Sequence, residues 1–106
     1  MGGLIRALEI ARVAEELEIP VIVGAQVGET SLLTRAALTV AHTNKRNLLA
    51  QEGVFGTLLL KYDIVNPTLG FQKQGHLDPK ELLRPEQYGL QLTYRFDHIN
   101  GFPRIM

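Results

Sequence analysis

The sequence predicts an α/β fold with a short, mainly parallel sheet, and three observations carry that expectation. Two apolar runs, Ile19 to Val23 and Asn47 to Gln51, are continuous rather than alternating, as in strands covered on both faces. Each run follows a segment with apolar residues at helical spacing. Each leads to a glutamate, Glu29 or Glu52, and the strand ends of a parallel (β/α) barrel are where its chemistry gathers. The order helix, strand, helix, strand belongs to barrels and doubly wound sheets alike. A closed barrel takes roughly 250 residues, whereas this chain has 106. It carries too few strands to close one.

The first helix is the clearest element. Leu4, Leu8, Ala11, Ala14 and Leu17 share one face, widened by Ile5 and Ala7. Arg6, Glu9, Arg12 and Glu16 lie on the other side, with Arg12 and Glu16 spaced as an i,i+4 pair. Gly2-Gly3 opens the helix and Pro20 is expected to close it, because the residue before a proline is pushed out of helical geometry. Ile19 to Gln26 then reads as a buried strand. Thr30 or Ser31 is expected to cap a second helix, whose buried stripe is Leu33, Ala36, Ala37, Val40 and Ala41. His42 to Arg46 reads as a polar loop before the second strand at 47–51.

After Gly53 and Gly56 the pattern changes. Thr57 to Leu60 fits a short strand or a helical turn equally well. Asn66-Pro67 breaks the chain, Leu69 to Gln72 and His76-Leu77 bracket a turn at Gly75, and Gly89 to Tyr94 alternates as a strand does. Residues 1–94 read as one unit. Arg95 to Met106, with Gly101 and Pro103 and no clear period, reads as a poorly ordered tail.

Composition narrows the function classes. Hydrophobic residues make up 45% and charged residues 21%, a globular balance. Eleven basic and eleven acidic residues cancel, so nothing pulls on nucleic acid or an anionic membrane surface. The absence of cysteine excludes a disulfide framework and a thiolate metal site, and fits a cytoplasmic protein. No run of about 18 apolar residues is present to span a membrane.

The motifs resemble the end of the catalytic barrel in the mandelate racemase/muconate lactonizing enzyme family of the enolase superfamily. The resemblance rests on Gly2-Gly3-Leu4, the helix from Ala7 to Glu16, Gly-Ala-Gln-Val-Gly-Glu at 24–29, the Ala-rich second helix and Gln51-Glu52-Gly53. It continues through Asp63-Ile64-Val65-Asn66-Pro67 and Tyr88-Gly89-Leu90. It implies a partial TIM-barrel-like piece, the last two or so βα units, followed by short C-terminal β strands. In that family a capping domain covers the barrel, Mg²⁺ held by three carboxylates stabilises an enolate, and lysines or a histidine remove the proton beside a substrate carboxylate. An α-proton is weakly acidic, so the enolate charge must be neutralised as the base acts. The metal ligands, the lysines and the capping domain would lie upstream of Met1.

The resemblance gives Glu52 the place of the family's acidic residue on the eighth strand, the acid or electrophilic partner of the forming enolate. It gives Glu29 the place of a glutamate just beyond strand seven, near the substrate. Gly2 and Gly3 begin a helix whose free N–H groups could receive a substrate carboxylate. The histidine of racemase-type members would fall at Ala25, and its absence resembles the lactonizing or epimerase subgroups, or a divergent group.

The residues have plainer readings as well. Glu52 could pair with Lys61 or Arg35, and Glu29 could favour the positive start of the following helix. Two carboxylates cannot supply the oxygen shell of a dedicated Mg²⁺ site, so no cofactor is expected in this chain alone. His42, His76 and His98 are scattered without ligand spacing and read as surface residues. Gly24 and Gly28 lack the rest of a phosphate loop, and Tyr62, Tyr88 and Tyr94 form no base-stacking motif. Two barrel strands alone would leave open hydrogen-bonding edges, which recruit partners. A homo-oligomer, or a missing N-terminal barrel half, is therefore expected to cover them. Three functions follow: an enolase-superfamily isomerase or lyase piece inactive alone, a complementing subunit of a two-chain enzyme, or a non-catalytic oligomeric scaffold that binds a small carboxylate.

Overall fold

The computed structural model describes residues 2–26, 29–53, 59–66, 68–69 and 89–97. Four elements run in the order α1 (Leu4–Glu16), β1 (Val21–Val23), α2 (Ser31–Thr43) and β2 (Leu48–Gln51). β1 and β2 form one parallel two-stranded sheet. The mixed α/β class is therefore present, and the described residues contain two helix–strand units and no barrel.

α1 starts at Gly3, whose φ of 100° is a geometry that favours glycine. Its carbonyl accepts the Ala7 N–H at 3.0 Å. The helix ends at Glu16, before Pro20 can act. Glu18 turns left-handed at φ 56°. Its N–H donates to the Glu15 carbonyl at 3.1 Å, and the Ile19 N–H donates to the Ala14 carbonyl at 2.8 Å. These are the paired bonds of a Schellman cap, built on a glutamate where glycine is usual.

β1 is shorter than the expected 19–26 run. The Val21 N–H donates to the Asn47 carbonyl and the Glu52 N–H to the Val23 carbonyl, both at 2.9 Å. The Asn47 side-chain amide also donates to the Ile19 carbonyl. One asparagine thus holds the entry to both strands, and the register shifts between Val21 and Ile22.

α2 has no side-chain cap from Thr30. Asp63 supplies it instead: its Oδ2 accepts the Ser31 N–H at 2.8 Å and the Ser31 hydroxyl at 2.6 Å. The helix runs through His42 and Thr43, which the sequence places in a loop. It closes at buried Asn44, whose backbone and side-chain N–H groups both donate to the Val40 carbonyl.

The buried face of α2 also differs from the expected stripe. Ser31, Thr34, Arg35 and Leu38 are buried with Val40 and Ala41, while Leu33 is 52% exposed. The cause is the C-terminal segment, which packs on the more polar side. Leu69 there donates its N–H to the Ser31 hydroxyl oxygen at 2.7 Å, and Val65 and Leu69 are both buried. Val65 bridges Tyr94 in antiparallel fashion, with the Asn66 N–H on the Thr93 carbonyl and the Arg95 N–H on the Ile64 carbonyl. The strand expected at 89–94 is limited to this bridge within residues 89–97. The sheet is not covered on both faces as expected, since Ile22 and Leu49 are exposed. Of the segment expected at 57–60, Leu59 is helical and Leu60 is not, while Thr57 and Leu58 lie outside the described residues. The features expected at 70–88 and the tail from 98 onward lie outside them as well.

Candidate functional site

The parallel order brings the ends of β1 and β2 side by side. Glu52 follows β2, exposed, and its Oε2 lies 3.7 Å from the point where a Cβ on Gly24 would stand. A Cβ at 24 would meet the carboxylate at ordinary van der Waals distance, which puts Glu52 directly beside the end of β1. Neither plain pairing of Glu52 occurs. Lys61 lies over the Tyr62 ring, 5.3 Å from its centroid, and Arg35 donates to the Thr39 hydroxyl at 2.5 Å. Arg35 is buried, its Nε has no hydrogen-bond partner, and desolvation lowers its pKa.

Glu29 turns away from the expected role at the start of α2. Its Oε1 accepts the Gln26 N–H at 2.8 Å, closing the loop that leaves β1. Asp63 holds the helix start instead. Glu29 lines an open cavity of about 360 Å³ together with Gly3 and Gly24. The remaining walls are apolar: Leu4, Ala7 and Ile10 from α1, Ile22 from β1, and Leu33 and Ala37 from α2. Of the positions singled out by sequence, Gly3 and Glu29 share the cavity, and Glu52 lies against Gly24, one of its walls, without lining it. Gly2 stands outside it, at φ 83° beside the Arg6 stem.

The cavity explains the exposure of Leu33. Leu33, Ala36, Ala37 and Val40 all face it. The apolar stripe read from sequence is real, but most of it lines open space rather than packed core.

The donor set does not make a metal centre. Among the described residues no three His, Cys, Asp or Glu side chains gather closely enough to hold an ion. Glu29 is already engaged by a backbone amide. The residues present therefore do not fit Mg²⁺ on their own. His42 lies exposed in the last turn of α2, and His76 and His98 lie outside the described residues. Among those residues no helix is long and apolar enough to cross a membrane.

Sequence reasoning named Ser31 as a cap, Arg35 as a partner for Glu52 and Asp63 within a motif, but missed the Ser31–Asp63 pairing and the burial of Arg35. Asp63 lies 32 positions from the serine it holds, so no local spacing announces the pair. The one signal was an isolated acid ahead of Asn66-Pro67. No family model, curated protein or solved structure matches the chain.

Proposed function

We propose that this chain forms the closing βα units of an enolase-superfamily barrel and is inactive alone. The observation that carries the reading is a cavity shared by Gly3, Gly24 and Glu29 beside two parallel strands, with the Glu52 carboxylate against Gly24. In such a barrel Glu52 is the acidic partner of a forming enolate, exposed and free of the salt bridges that would otherwise explain it. Gly3, at the N-terminus of α1, and Glu29 lie where the substrate carboxylate end is bound. The reaction class is proton abstraction beside a carboxylate, as in an isomerase or lyase. The metal and the proton-accepting base belong to strands supplied by a complementing polypeptide, since this chain's own donors do not fit them.

Exchange of the α-proton into deuterated water, followed by NMR, tests the reading. The purified chain with Mg²⁺ and a panel of α-hydroxy and α-amino carboxylates is expected to give no exchange. Co-expression with the first six strands and capping domain of such an enzyme is expected to restore it. Glu52→Gln in that assembly is expected to lower the rate by about 10²–10⁴-fold, the usual worth of a positioned acid. Turnover by the isolated chain, or an active assembly indifferent to Glu52→Gln, overturns the proposal.

A further inference from the structure

We infer that α2 carries a binding site for a small monocarboxylate, such as formate or acetate, on the Nε–Nη2 edge of the Arg35 guanidinium. The site lies on the buried side of α2, outside the cavity wall. It belongs to the chain by itself and does not rest on the barrel reading.

The charge comes first. Arg35 is 3% exposed. A guanidinium stays protonated in a protein, so burial sets a full positive charge out of water. A buried charge is costly unless an opposite charge and hydrogen bonds accompany it. Among the described residues the arginines in ion pairs are Arg6, Arg12, Arg46 and Arg95, all of them exposed. Arg35 is the buried one and is not among them. Desolvation lowers its pKa, and no carboxylate acts the other way.

The hydrogen bonds single out one edge of the group. Nη1 donates to the Thr39 hydroxyl at 2.5 Å, and that hydroxyl donates in turn to the Arg35 carbonyl at 3.2 Å. One arm of the fork is thus held against its own helix. Nε is buried and has no hydrogen-bond partner. The other polar side chains on this side of α2 are engaged elsewhere. The Thr34 hydroxyl donates to the Thr30 carbonyl, and the Ser31 hydroxyl donates to Asp63 and accepts the Leu69 N–H. Asp63, the acid that fastens this side, has its two oxygens on Ser31 and Val65. A buried donor without an acceptor in a native fold points to a water or an ion. Water would satisfy the N–H and leave the charge uncompensated, whereas an anion answers both.

The shape of the edge selects the anion. The Nε–H and one Nη2–H run parallel, and the two oxygens of a carboxylate accept both at once. A monoanion cancels the single charge of Arg35. Inorganic phosphate carries more than one charge near neutral pH, so it would leave negative charge buried in turn. The surroundings leave little room for bulk, because Leu38 and Ala41 are buried on the same side of the helix. The bond to Thr39 fixes the plane of the guanidinium beforehand, which lowers the ordering cost of binding.

Thermal unfolding of the whole chain at neutral pH and constant ionic strength, with sodium acetate replacing sodium chloride, is the test. The wild-type Tm is expected to rise by about 6–11 °C at about ten times the dissociation constant of acetate. Acetamide, the neutral analogue, is expected to leave it unchanged, and inorganic phosphate to raise it less than acetate does. Arg35→Met removes the charge and is expected to melt no lower than wild type in chloride and to ignore acetate. Arg35→Lys keeps the charge without the fork and is expected to lose most of the response. In NMR spectra of the wild type, the Arg35 Nε–H resonance is expected to move saturably with acetate, while those of exposed Arg12 and Arg46 do not. An acetate response shared by Arg35→Met, an unmoved Arg35 resonance, or a preference for phosphate or acetamide overturns the inference. So does an Arg35→Met chain that melts more than about 5 °C below wild type in chloride, because an acid of the chain itself would then balance the charge. None of these outcomes bears on whether Glu52 serves a reconstituted barrel.

Discussion

Replacing Asp63 by alanine removes the cap of α2 and the tie between that helix and the C-terminal segment in one step. Its two carboxylate oxygens accept three bonds: the Ser31 N–H at 2.8 Å, the Ser31 hydroxyl at 2.6 Å and the Val65 N–H at 3.0 Å. Loss of a cap costs about 1 kcal/mol. A hydrogen bond to a charged group contributes about 1.5–3 kcal/mol. The three bonds share one carboxylate and do not add, so the expected loss is about 2–4 kcal/mol. For a domain of this size each kcal/mol moves Tm by about 4–8 °C, so the melting point should fall by at least about 10 °C. Urea unfolding followed by circular dichroism gives the free energy directly. Ser31→Ala leaves the Leu69 N–H without its acceptor and is expected to cost about 1–3 kcal/mol. The double variant should cost less than the sum, with a coupling of about 1–2 kcal/mol. An Asp63→Ala protein within about 0.5 kcal/mol of wild type, the range of an uninvolved surface change, refutes the relay.

Two further predictions concern the helices. Glu18→Gly relieves a left-handed residue at the cap of α1, and is expected to raise stability by about 0.5–1 kcal/mol in urea unfolding. Leu38→Ala and Leu33→Ala test the two faces of α2: with Leu38 at 5% exposure and Leu33 at 52%, the first should cost about 2–5 kcal/mol and the second under about 1 kcal/mol in urea unfolding.

Local rules were enough for the elements. Helical spacing from Leu4 and from Ser31 gives both helices, and the unbroken apolar runs give both strands, because these signals lie within a few residues of what they specify. The terminations were less legible. Pro20 is a strong breaker, yet the backbone of Ala14 to Ile19 closes α1 sooner. A capping bond is satisfied by whichever donor or acceptor arrives, and its geometry outruns the residue preference. The cap of α2 was out of reach for a different reason: Thr30 is the local candidate, and a carboxylate 32 residues later takes the position. At the site, Gly3 and Glu29 line one cavity and Glu52 lies beside Gly24, a wall of it. No local pattern announced the bond that Glu29 makes, in which its carboxylate accepts the N–H of a loop residue three positions back.

The two sides of α2 make the physical problem of this chain plain. On one side lie Ser31, Thr34 and Arg35, polar groups that ordinarily face water, buried with Leu38 and Ala41 beneath the segment that Asp63 fastens. Burying them is costly, and Arg35 shows the cost in an unpartnered Nε and a lowered pKa. On the other side lie Leu33, Ala36 and Ala37, which gain most from burial and line an open cavity instead. Amphipathic order in a helix ordinarily sends the apolar side inward. The reversal requires specific bonds that offset the burial of the polar side, as the Ser31–Asp63–Leu69 relay does. The relay therefore holds α2 in place from behind, while the apolar side of the helix lines the open cavity with Ile22 and Ile10.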